Sequence, residues 1–357
     1  VSSRDDICFS VLMPVYNPEL EHLVAALESL IAQDYPHWEL CVADDASTNP
    51  VIKAILTRYA KKDSRIRVAW REKNGHIAAA TNTALEMARH PYAVLMDQDD
   101  LLTPDALRMV AETIAKHPDG LLFYSDEDKV HDEGLIFYPY FKNGKWDWEL
   151  LCGQNCVSHL GVYRTDRMRQ IGGFREGFRG SQDFDMLLRY IAGADAKKFV
   201  HIPRVLYHWR AHAGSTALDV GVKSEAVDSA RRAVQEHLDV FSPGAAVSIL
   251  PYSQFLRVKF PLPEKRPLVS LICDMENSFS QMKEILSALT TKTAYAKYEI
   301  LLLFSEAVSK GHIAAVRRFA ALHKNVRLLP YAAELSLTER IMTGAGQAYG
   351  QVLGFLA

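Results

Sequence analysis

Ala93-Val94-Leu95-Met96-Asp97-Gln98-Asp99-Asp100 joins four consecutive apolar residues to a cluster of carboxylates. The apolar run predicts a buried strand, and the acidic residues predict a loop at the carboxyl end of that strand. Carboxylate oxygens are hard ligands that suit Mg²⁺ or Mn²⁺, so this loop is a candidate metal site. The alternative is a helix cap formed by Asp99 or Asp100, because Thr103-Pro104 begins the next predicted helix.

The residues before this segment alternate between strands and helices. Short apolar runs predict strands, and apolar residues at helical spacing predict helices between them. The predicted strands are residues 9–13, 39–43, 65–68 and 93–96, and the predicted helices are residues 20–32, 51–61 and 78–89. This order predicts an α/β fold with a doubly wound, mainly parallel sheet.

Polar residues follow three of these four strands. Pro14-Val15-Tyr16-Asn17 follows the first strand, Asp44-Asp45 follows the second, and the acidic loop at Asp97 follows the fourth. Ligands of doubly wound sheets bind outside the carboxyl ends of the strands, where an acid often meets a ribose hydroxyl or a base. For Asp44-Asp45, a turn with Asx capping is the alternative.

Two acids separated by one residue, Asp183 and Asp185, precede an apolar helical run. One of them is a candidate general base that takes a proton from a hydroxyl group. The alternative is that both acids only stabilise the N-terminus of the helix through its dipole.

Histidine and arginine side chains are concentrated in residues 207–216, which include His208, Arg210 and His212. A histidine can complete a metal site, and an arginine can bind phosphate through two parallel hydrogen bonds. A solvated polar loop is the alternative for this segment.

The C-terminal part of the sequence repeats the N-terminal part at a constant offset of 260 residues. Residues of the same type at this offset are Ser10 and Ser270, Asn17 and Asn277, Tyr35 and Tyr295, and Glu39 and Glu299. The repeat lacks the acids, because Asp44 and Asp45 correspond to Phe304 and Ser305. We therefore predict a first unit at residues 1–240, a connector at 241–267, and a partial, degenerate second α/β unit of the same kind at 268–357.

The composition of the 357-residue chain excludes several classes of protein. Its 41 basic and 43 acidic residues give a formal net charge of -2, so no general positive field favours nucleic acid. Five cysteines in a chain of this length do not indicate a disulfide framework. There is no apolar signal region, and no apolar run approaches the roughly 18–20 residues of a membrane span, which predicts a cytoplasmic protein. Peripheral association with the inner face of the cell membrane is compatible with this prediction.

Seven motifs occur in order along the chain. They are Met13–Asn17, Val42–Ser47, Asn74–Ile77 with Asn82, Met96–Asp100, Tyr124–Lys129, Gly180–Asp185 and Tyr207–Arg210. Together they closely resemble glycosyltransferase family 2, and within it the bacterial enzymes of cell-surface polysaccharide assembly, including rhamnosyltransferases. The resemblance covers roughly residues 8–238, and the tandem units of many such enzymes match the internal repeat.

The resemblance implies a GT-A fold and an inverting transfer from a nucleoside-diphosphate sugar, with Mn²⁺ or Mg²⁺ as cofactor. It implies a UDP- or dTDP-sugar donor, for example dTDP-rhamnose, and a glycan or lipid-linked glycan acceptor of the O-antigen or capsule type. It assigns nucleotide-sugar binding to Pro14, Tyr16, Asn17, Asp44, Asp45, Asn82, Asp97 and Arg210, metal binding to Asp97, Asp99 and His212, and base catalysis to Asp183. His208 is the alternative to His212. The family often has Glu before the base, where this chain has Gln182, and Asp185 is the alternative base.

Two other functions compete with this interpretation. A non-catalytic module that binds sugar nucleotides or glycans would use the same fold with purely structural acids, as the degenerate repeat illustrates. A nucleotidyltransferase would share the sheet and the metal site, but such enzymes usually carry a Gly-rich phosphate loop after the first strand. Pro14-Val15-Tyr16-Asn17-Pro18 stands in that place, which disfavours a nucleotidyltransferase.

Overall fold

Two structural units make up the chain in a computed structural model that describes residues 7–131, 134–211, 224–275, 279–305, 307 and 309–356. Residue contacts divide the chain into Val1–Phe260 and Pro261–Ala357. The boundary between the units lies inside the segment 241–267, which we predict as a connector.

The first unit alternates strands and helices over most of its length. Its strands are β1 (Phe9–Val15), β2 (Trp38–Asp44), β3 (Ile66–Trp70), β4 (Tyr92–Leu95), β5 (Leu101–Leu102), β6 (Leu122–His131), β7 (Ile136–Tyr140), β8 (Gly161–Arg164), β9 (Phe199–Ala211), β10 (Ala246–Ile249) and β11 (Leu256–Lys259). Its helices are α1 (Leu20–Ile31), α2 (Pro50–Lys62), α3 (His76–Met87), α4 (Ala106–Lys116), α5 (Trp148–Gly153), α6 (Thr165–Gln170), α7 (Gln182–Ile191) and α8 (Ser224–Phe241).

A large sheet forms the centre of this unit. Its strands lie in the order β3-β2-β1-β4-β8-β6-β9-β5, and β7 pairs with β6. The first four strands are parallel to one another. Strand β8 enters between β4 and β6 and is antiparallel to both. This mixed but mainly parallel α/β sheet confirms the predicted fold class.

Apolar side chains cover both faces of the sheet. Along β1, Val11 and Met13 join one buried cluster and Leu12 joins the other, because successive residues of a strand point to opposite faces. Helices α1, α2 and α4 contribute to the first cluster, whereas α3, α7 and α8 contribute to the second. The strands are therefore apolar on both faces, and polar residues are left for the loops at the strand ends.

Strands β10 and β11 form an antiparallel hairpin within the segment predicted as a connector. The hairpin packs against α5 and α8 of the first unit. Val247 and Leu256 are buried there with the core of that unit. Extended structure predicted for this segment is thus present, and it belongs to the first unit.

The second unit is a smaller α/β unit of the same kind. Its strands are β12 (Val269–Asp274), β13 (Tyr298–Ser305), β14 (Val326–Tyr331) and β15 (Val352–Leu356), and its helices are α9 (Phe279–Lys292), α10 (Lys310–Leu322) and α11 (Leu337–Gly346). The parallel strands lie in the order β14-β13-β12-β15. This order is that of β3-β2-β1-β4 in the first unit.

The strand register is also the same in the two units at the offset of 260 residues. Phe9 pairs with Trp38 in the first unit, and Val269 pairs with Tyr298 in the second. The structure therefore confirms that the C-terminal unit repeats the first four strands of the N-terminal unit.

A buried polar network is repeated as well. Ser10 Oγ donates to Glu39 at 2.7 Å, and Arg67 donates to the other oxygen of the same carboxylate at 2.7 Å. In the second unit the corresponding residues are Ser270, Glu299 and Arg327, with distances of 2.6 and 2.9 Å. Both networks lie near the start of the central strand, away from the strand ends that carry the acids in the first unit.

Among the described residues, no helix combines the length and the apolar character that crossing a membrane requires.

Candidate active site

Three side chains at the carboxyl edge of the first sheet converge as a potential metal site. One ligand atom from each of Asp97, Asp100 and His159 lies within 4.8 Å of the others. Asp97 and Asp100 follow β4, and His159 precedes β8. Because β4 and β8 pair Tyr92 with Arg164 in antiparallel register, continuing that register places His159 opposite Asp97.

The Asp100 carboxylate ties the acidic loop to β9. Its Oδ2 accepts a hydrogen bond from the Tyr207 hydroxyl at 2.6 Å, and its Oδ1 accepts one from the backbone N–H of Arg210 at 2.7 Å. The Tyr207 oxygen in turn accepts a hydrogen bond from the backbone N–H of Asp97 at 3.2 Å. Asp100 is buried, and its main contribution is to hold the loop in place.

The His159 ring lies between aromatic side chains of β9. It stacks on Tyr207 with ring centroids 4.5 Å apart and planes inclined by 8°. It also contacts Trp209 at a centroid distance of 5.6 Å. Packing on both rings restricts the orientation of the imidazole toward Asp97.

The carboxylates of this site raise one another's proton affinity. Burial raises the pKa of Asp97 to about 6, and the charges of Asp99 and Asp183 act in the same direction, while His159 opposes them. Burial, followed by the charges of Asp97 and Asp99, also raises the pKa of Asp100. A cluster of this kind favours a proton or a cation that reduces the repulsion.

Asp183 belongs to the same electrostatic site. It lies in the first turn of α7, and its Oδ2 accepts a hydrogen bond from Asn155 Nδ2 at 2.8 Å. Burial raises the pKa of Asp183, against the opposing effects of His159, of backbone N–H groups and of Asn155. The result is an oriented carboxylate with a raised affinity for a proton.

Asp185, the alternative base, is paired with two arginines. It is buried, and both of its oxygens are engaged by guanidinium groups. Arg175 Nε lies 3.1 Å from Oδ1, and Arg189 Nη2 lies 2.8 Å from Oδ2. Gln182 supports the same turn, because its Oε1 accepts the N–H of Gly180 at 3.1 Å. The geometry therefore favours Asp183 over Asp185 as the base.

The loop after β1 bridges the other two strand-end loops. The backbone N–H of Tyr16 donates to Gln98 Oε1 at 2.8 Å, which connects this loop to the acidic loop. Asn17 Oδ1 accepts the N–H of Thr48 at 2.9 Å, which connects it to the turn after β2. Tyr16 is exposed, and Pro14 is half-buried at the end of β1.

Asp44 has one unsatisfied carboxylate oxygen. Its Oδ2 accepts the N–H of Ser47 at 3.2 Å. Its Oδ1 is buried and makes no hydrogen bond within the described part of the chain. Because a buried, unpaired carboxylate oxygen is unfavourable, this atom is suited to accept a hydrogen bond from a ligand.

Two of the predicted binding residues hold neighbouring loops. Asp45 accepts hydrogen bonds from Arg71 Nε at 2.7 Å and from the N–H of Gly75 at 3.0 Å. The amide of Asn82 makes two hydrogen bonds of 2.8 Å with the backbone of Phe174. These side chains shape the surroundings of the site.

Residues 10–166 match the family model described as Glycosyl transferase family 2. This span includes the acidic loop and His159. The first unit belongs to glycosyltransferase family 2.

Curated relatives of the chain are longer proteins. An uncharacterized protein from Sinorhizobium fredii is 38% identical over 97% of this chain and 38% of its own length. The O-antigen biosynthesis protein RfbC from Myxococcus xanthus is 32% identical over 82% of this chain and 23% of its own length. The Escherichia coli chondroitin synthase is 26% identical over 58% of this chain and 30% of its own length. The chain thus spans well under half of each of these relatives.

Solved structures share the GT-A fold of the first unit. The crystal structure of S. aureus TarS residues 1–349 in complex with UDP-GlcNAc has a TM-score of 0.53 and 20% sequence identity. The similarity covers 65% of this chain and 67% of the TarS chain. It confirms the fold expected from the resemblance.

The three predicted metal ligands of this family 2 domain do not all lie in the cluster of Asp97, Asp100 and His159. Asp97 is in the cluster of three, and Asp99 is half-buried in the same loop. Arg210 Nε donates to the backbone carbonyl of Asp99 at 2.7 Å, which places the guanidinium beside this loop. His212 lies outside the described residues.

His208 points to another partner, because its Nδ1 is hydrogen-bonded to the Asp128 carboxylate.

His159 and Asn155 are functional candidates that sequence reasoning did not identify. His159 lies two residues before β8, but that strand is antiparallel to β4 and comes from a distant part of the chain. Neither helical nor strand periodicity indicates such a pairing. The one sequence signal is a histidine and an asparagine within five residues of each other in the segment before β8.

Proposed function

We propose that the first unit is an inverting, metal-dependent glycosyltransferase. It transfers a sugar from a UDP- or dTDP-sugar, for example dTDP-rhamnose, to a glycan or lipid-linked glycan acceptor during synthesis of a cell-surface polysaccharide. The observation that carries this proposal is the grouping of Asp97, Asp100 and His159 with the oriented carboxylate of Asp183. This arrangement offers a cation site and a general base within one electrostatic site.

The donor atoms suit Mn²⁺ or Mg²⁺. Carboxylate oxygens are the usual ligands of both ions, and an imidazole nitrogen is better suited to Mn²⁺ than to Mg²⁺. Asp97 and His159 would hold the ion, with Asp99 and His212 as further predicted ligands. When bound, such an ion supplies charge neutralisation for a diphosphate leaving group. The raised pKa of Asp97 supports the proposal, because a cation would relieve the repulsion between these carboxylates.

The nucleotide would bind over the loops after β1 and β2. Asp44 Oδ1 would accept a hydrogen bond from the base or the ribose, since this buried atom makes none with the described residues. Pro14, Tyr16 and Asn17 would line the same pocket, and Asp45 and Asn82 would support its walls. Arg210 would face the diphosphate from its place beside Asp99.

Asp183 would act as the general base. Its carboxylate would take the proton of an acceptor hydroxyl while the hydroxyl oxygen forms a bond to the anomeric carbon of the donor sugar. The bond between that carbon and the diphosphate oxygen breaks on the opposite face, so the configuration inverts. Burial raises the pKa of Asp183, which increases its ability to accept a proton near neutral pH. No covalent intermediate forms, so one carboxylate is sufficient for this step.

The relatives support the substrate class. RfbC is named for O-antigen biosynthesis, and the E. coli relative is named a chondroitin synthase. The TarS complex contains UDP-GlcNAc, which supports a uridine-diphosphate donor. Synthesis of a bacterial polysaccharide agrees with these names.

The second unit would have a structural or recognition role. We propose that residues 1–240 carry the chemistry, that 241–267, which include the hairpin packed on the first unit, lead to the second unit, and that 268–357 are a degenerate copy. Phe304 and Ser305 occupy the positions of Asp44 and Asp45. A buried ion pair between Asp274 and Arg340, with an N–O distance of 2.9 Å, lies at the end of the central strand of this copy.

A thermal-shift titration tests the proposal. UDP, dTDP and GDP are each added with Mn²⁺, with Mg²⁺ or with chelator to wild type, Asp97→Asn and Asp99→Ala. A nucleotide present at 100 times its dissociation constant adds about 2.7 kcal/mol of stability if it binds only the folded chain. We expect one nucleotide to stabilise wild type only when metal is present, and both variants to lose this effect.

Arg340→Met in the second unit is the matched control, and it should keep the full nucleotide response. Equal shifts with metal and with chelator would contradict the metal-dependent mechanism. Nucleotide binding with no sugar transfer to any glycan acceptor would favour the non-catalytic binding module.

A further inference from the structure

A buried ion pair lies directly behind the segment that carries His159. Lys142 Nζ is 3.2 Å from Glu127 Oε2, and the two side chains are only 2% and 10% exposed. Glu127 belongs to β6, and Lys142 follows β7. The Tyr124–Lys129 motif therefore contributes a buried charged residue, Glu127, to the interior of the first unit. The proposed mechanism gives Glu127 no role.

Both polar backbone atoms of His159 are bound by this pair. Glu127 Oε2 accepts the N–H of His159 at 2.9 Å. Lys142 Nζ donates to the carbonyl oxygen of His159 and, at 2.6 Å, to that of Val157. The ion pair thus fixes the peptide units on both sides of His159 through its backbone atoms.

The backbone of Lys142 is itself anchored. Its N–H donates to Asp126 Oδ1 at 2.8 Å, and the same oxygen is 2.7 Å from His201 Nε2. Asp126 and Glu127 are adjacent residues of β6. Strand β6 therefore binds Lys142 at two places. Asp126 accepts its backbone N–H, and Glu127 pairs with its ammonium group.

General stability is a weak explanation for such a pair. Burial lowers the pKa of Lys142, with Glu127 opposing this effect, which shows the cost of placing an ammonium group in the interior. Replacing a buried ion pair with apolar residues is often neutral or stabilising. The backbone contacts to His159 give the pair a specific geometric role that apolar residues could not provide.

We propose that Glu127 and Lys142 are positioning residues that hold His159 against Asp97. This inference rests on the proposed function of the Asp97–His159 site. The pair fixes the backbone at residue 159, and stacking on Tyr207 fixes the ring. Residues that orient a metal ligand typically change metal affinity or activity by about 10- to 100-fold when they are replaced.

The position of the His159 ring can be measured without metal or substrate. Ring protons that lie over an aromatic face resonate upfield, so the stacking of His159 on Tyr207 should shift its imidazole proton signals in the metal-free full chain. His159→Gln identifies these signals by their loss. The variants to compare are Lys142→Met, Glu127→Gln, the double variant of both, and Arg340→Met as a buried ion-pair control in the second unit.

We expect Lys142→Met and the double variant to lose the upfield shift of His159, while Arg340→Met keeps it. The double variant removes both charges of the pair, so neither Glu127 nor Lys142 leaves an unpaired buried charge. It therefore still tests the inference if Lys142→Met does not fold. An unchanged His159 signal in a folded variant without Lys142 would overturn the inference.

Binding of Mn²⁺ alone, followed by calorimetry, gives a second readout. Lys142→Met should weaken Mn²⁺ binding by about 10- to 100-fold in the wild-type background. It should have almost no further effect in the His159→Gln background, because both changes then disrupt the same ligand. An equal effect of Lys142→Met in both backgrounds would show that Lys142 does not act through His159.

These readouts separate the two proposals. A wild-type chain that neither binds Mn²⁺ nor transfers sugar would count against the proposed function. The imidazole signals would still decide whether the ion pair positions His159.

Discussion

The phenolic oxygen of Tyr207 lies 2.6 Å from Oδ2 of Asp100, and this hydrogen bond joins β9 to the loop that carries the acidic cluster. The same oxygen accepts the backbone N–H of Asp97. A single hydroxyl group on one strand therefore fixes two residues of the loop that follows another strand, at the point where the proposed chemistry occurs.

Tyr207→Phe removes this hydroxyl and leaves Asp100 Oδ2 and the Asp97 N–H without it. Because both groups are in a buried setting, we expect a loss of about 1–3 kcal/mol in the free energy of unfolding. Urea denaturation measures this change. Tyr331→Phe in the second unit, where the hydroxyl donates a longer hydrogen bond of 3.4 Å to Asp274 Oδ1, is a matched control and should cost less. Equal losses of stability in both variants would show that the hydrogen bonds of the Tyr207 hydroxyl contribute no more than the hydrogen bond between Tyr331 and Asp274.

Asp183→Asn should preserve nucleotide binding and reduce sugar transfer by about 10²- to 10⁴-fold, the usual contribution of a general base. The amide keeps the size of the side chain but cannot accept the proton of the acceptor hydroxyl. Initial rates with a radiolabelled donor measure the loss, and thermal shifts with nucleotide and metal verify binding. Turnover equal to wild type would exclude Asp183 as the base.

Asp185→Asn provides the contrast to that variant. Arg189 would lose its charged partner and Arg175 would keep only Glu236, so we expect about 2–3 kcal/mol of destabilisation, since both arginines are partly solvated. The melting temperature should fall markedly, whereas the Asp183→Asn variant should melt close to wild type. The opposite ranking of the two melting temperatures would contradict these structural assignments.

Asp97→Asn should stabilise the metal-free chain at pH 7. Burial raises the pKa of Asp97 to about 6, so the folded chain binds the proton more tightly than the unfolded chain, whose Asp pKa is about 3.9. Wild type therefore loses stability as the pH rises from about 4 to about 6, and this loss is complete above the folded pKa. The stability advantage of the variant should be largest above pH 6 and disappear near pH 4.

Chemical denaturation of both chains at pH 4, 5, 6 and 7 with chelator measures this dependence. A constant difference across the series would show that Asp97 titrates normally. In the presence of Mn²⁺ the order should reverse at pH 7, because only wild type gains stability from the ion.

Asp44→Asn should weaken nucleotide binding by about 10-fold without lowering the stability of the free chain. The amide group keeps an acceptor for Ser47 and removes the charge from a buried atom that has no hydrogen-bond partner among the described residues. Charge-assisted hydrogen bonds to a ligand are about twice as strong as neutral ones, which explains the expected loss. Isothermal titration with UDP and dTDP measures it, and unchanged affinity for both would remove Asp44 from the nucleotide pocket.

The sequence was sufficient to predict those parts of the site that follow from the pattern of neighbouring residues. A short apolar run that ends in acids places Asp44 and Asp97 at strand ends, and alternation with helices makes those strands parallel. Parallel strands bring their carboxyl ends to one edge, so the grouping of these loops follows directly. The internal repeat was visible for the same reason, because strand register is preserved at a constant offset.

The remaining parts of the site depend on contacts between distant segments. His159 reaches Asp97 only because β8 inserts antiparallel between β4 and β6, a pairing that local periodicity does not specify. Asp183 and Asp185 are equivalent in the sequence, and only the positions of Arg175 and Arg189 distinguish them. The ion pair between Asp45 and Arg71 is likewise a contact that the sequence does not specify.

The duplicated Ser–Glu–Arg network shows that the residues needed to form the sheet differ from the residues that form the candidate site. One set, at the beginning of the central strands, builds the sheet and is present in both copies. The other set, at the ends of the same strands, supplies acids of the candidate site, and Asp44 and Asp45 are replaced by Phe304 and Ser305 in the second copy. A duplicated gene segment could therefore abandon catalysis through a few strand-end substitutions and still fold. For protein engineering, the C-terminal copy is a ready scaffold on which new ligand specificity can be introduced at residues 304 and 305 without redesign of its interior.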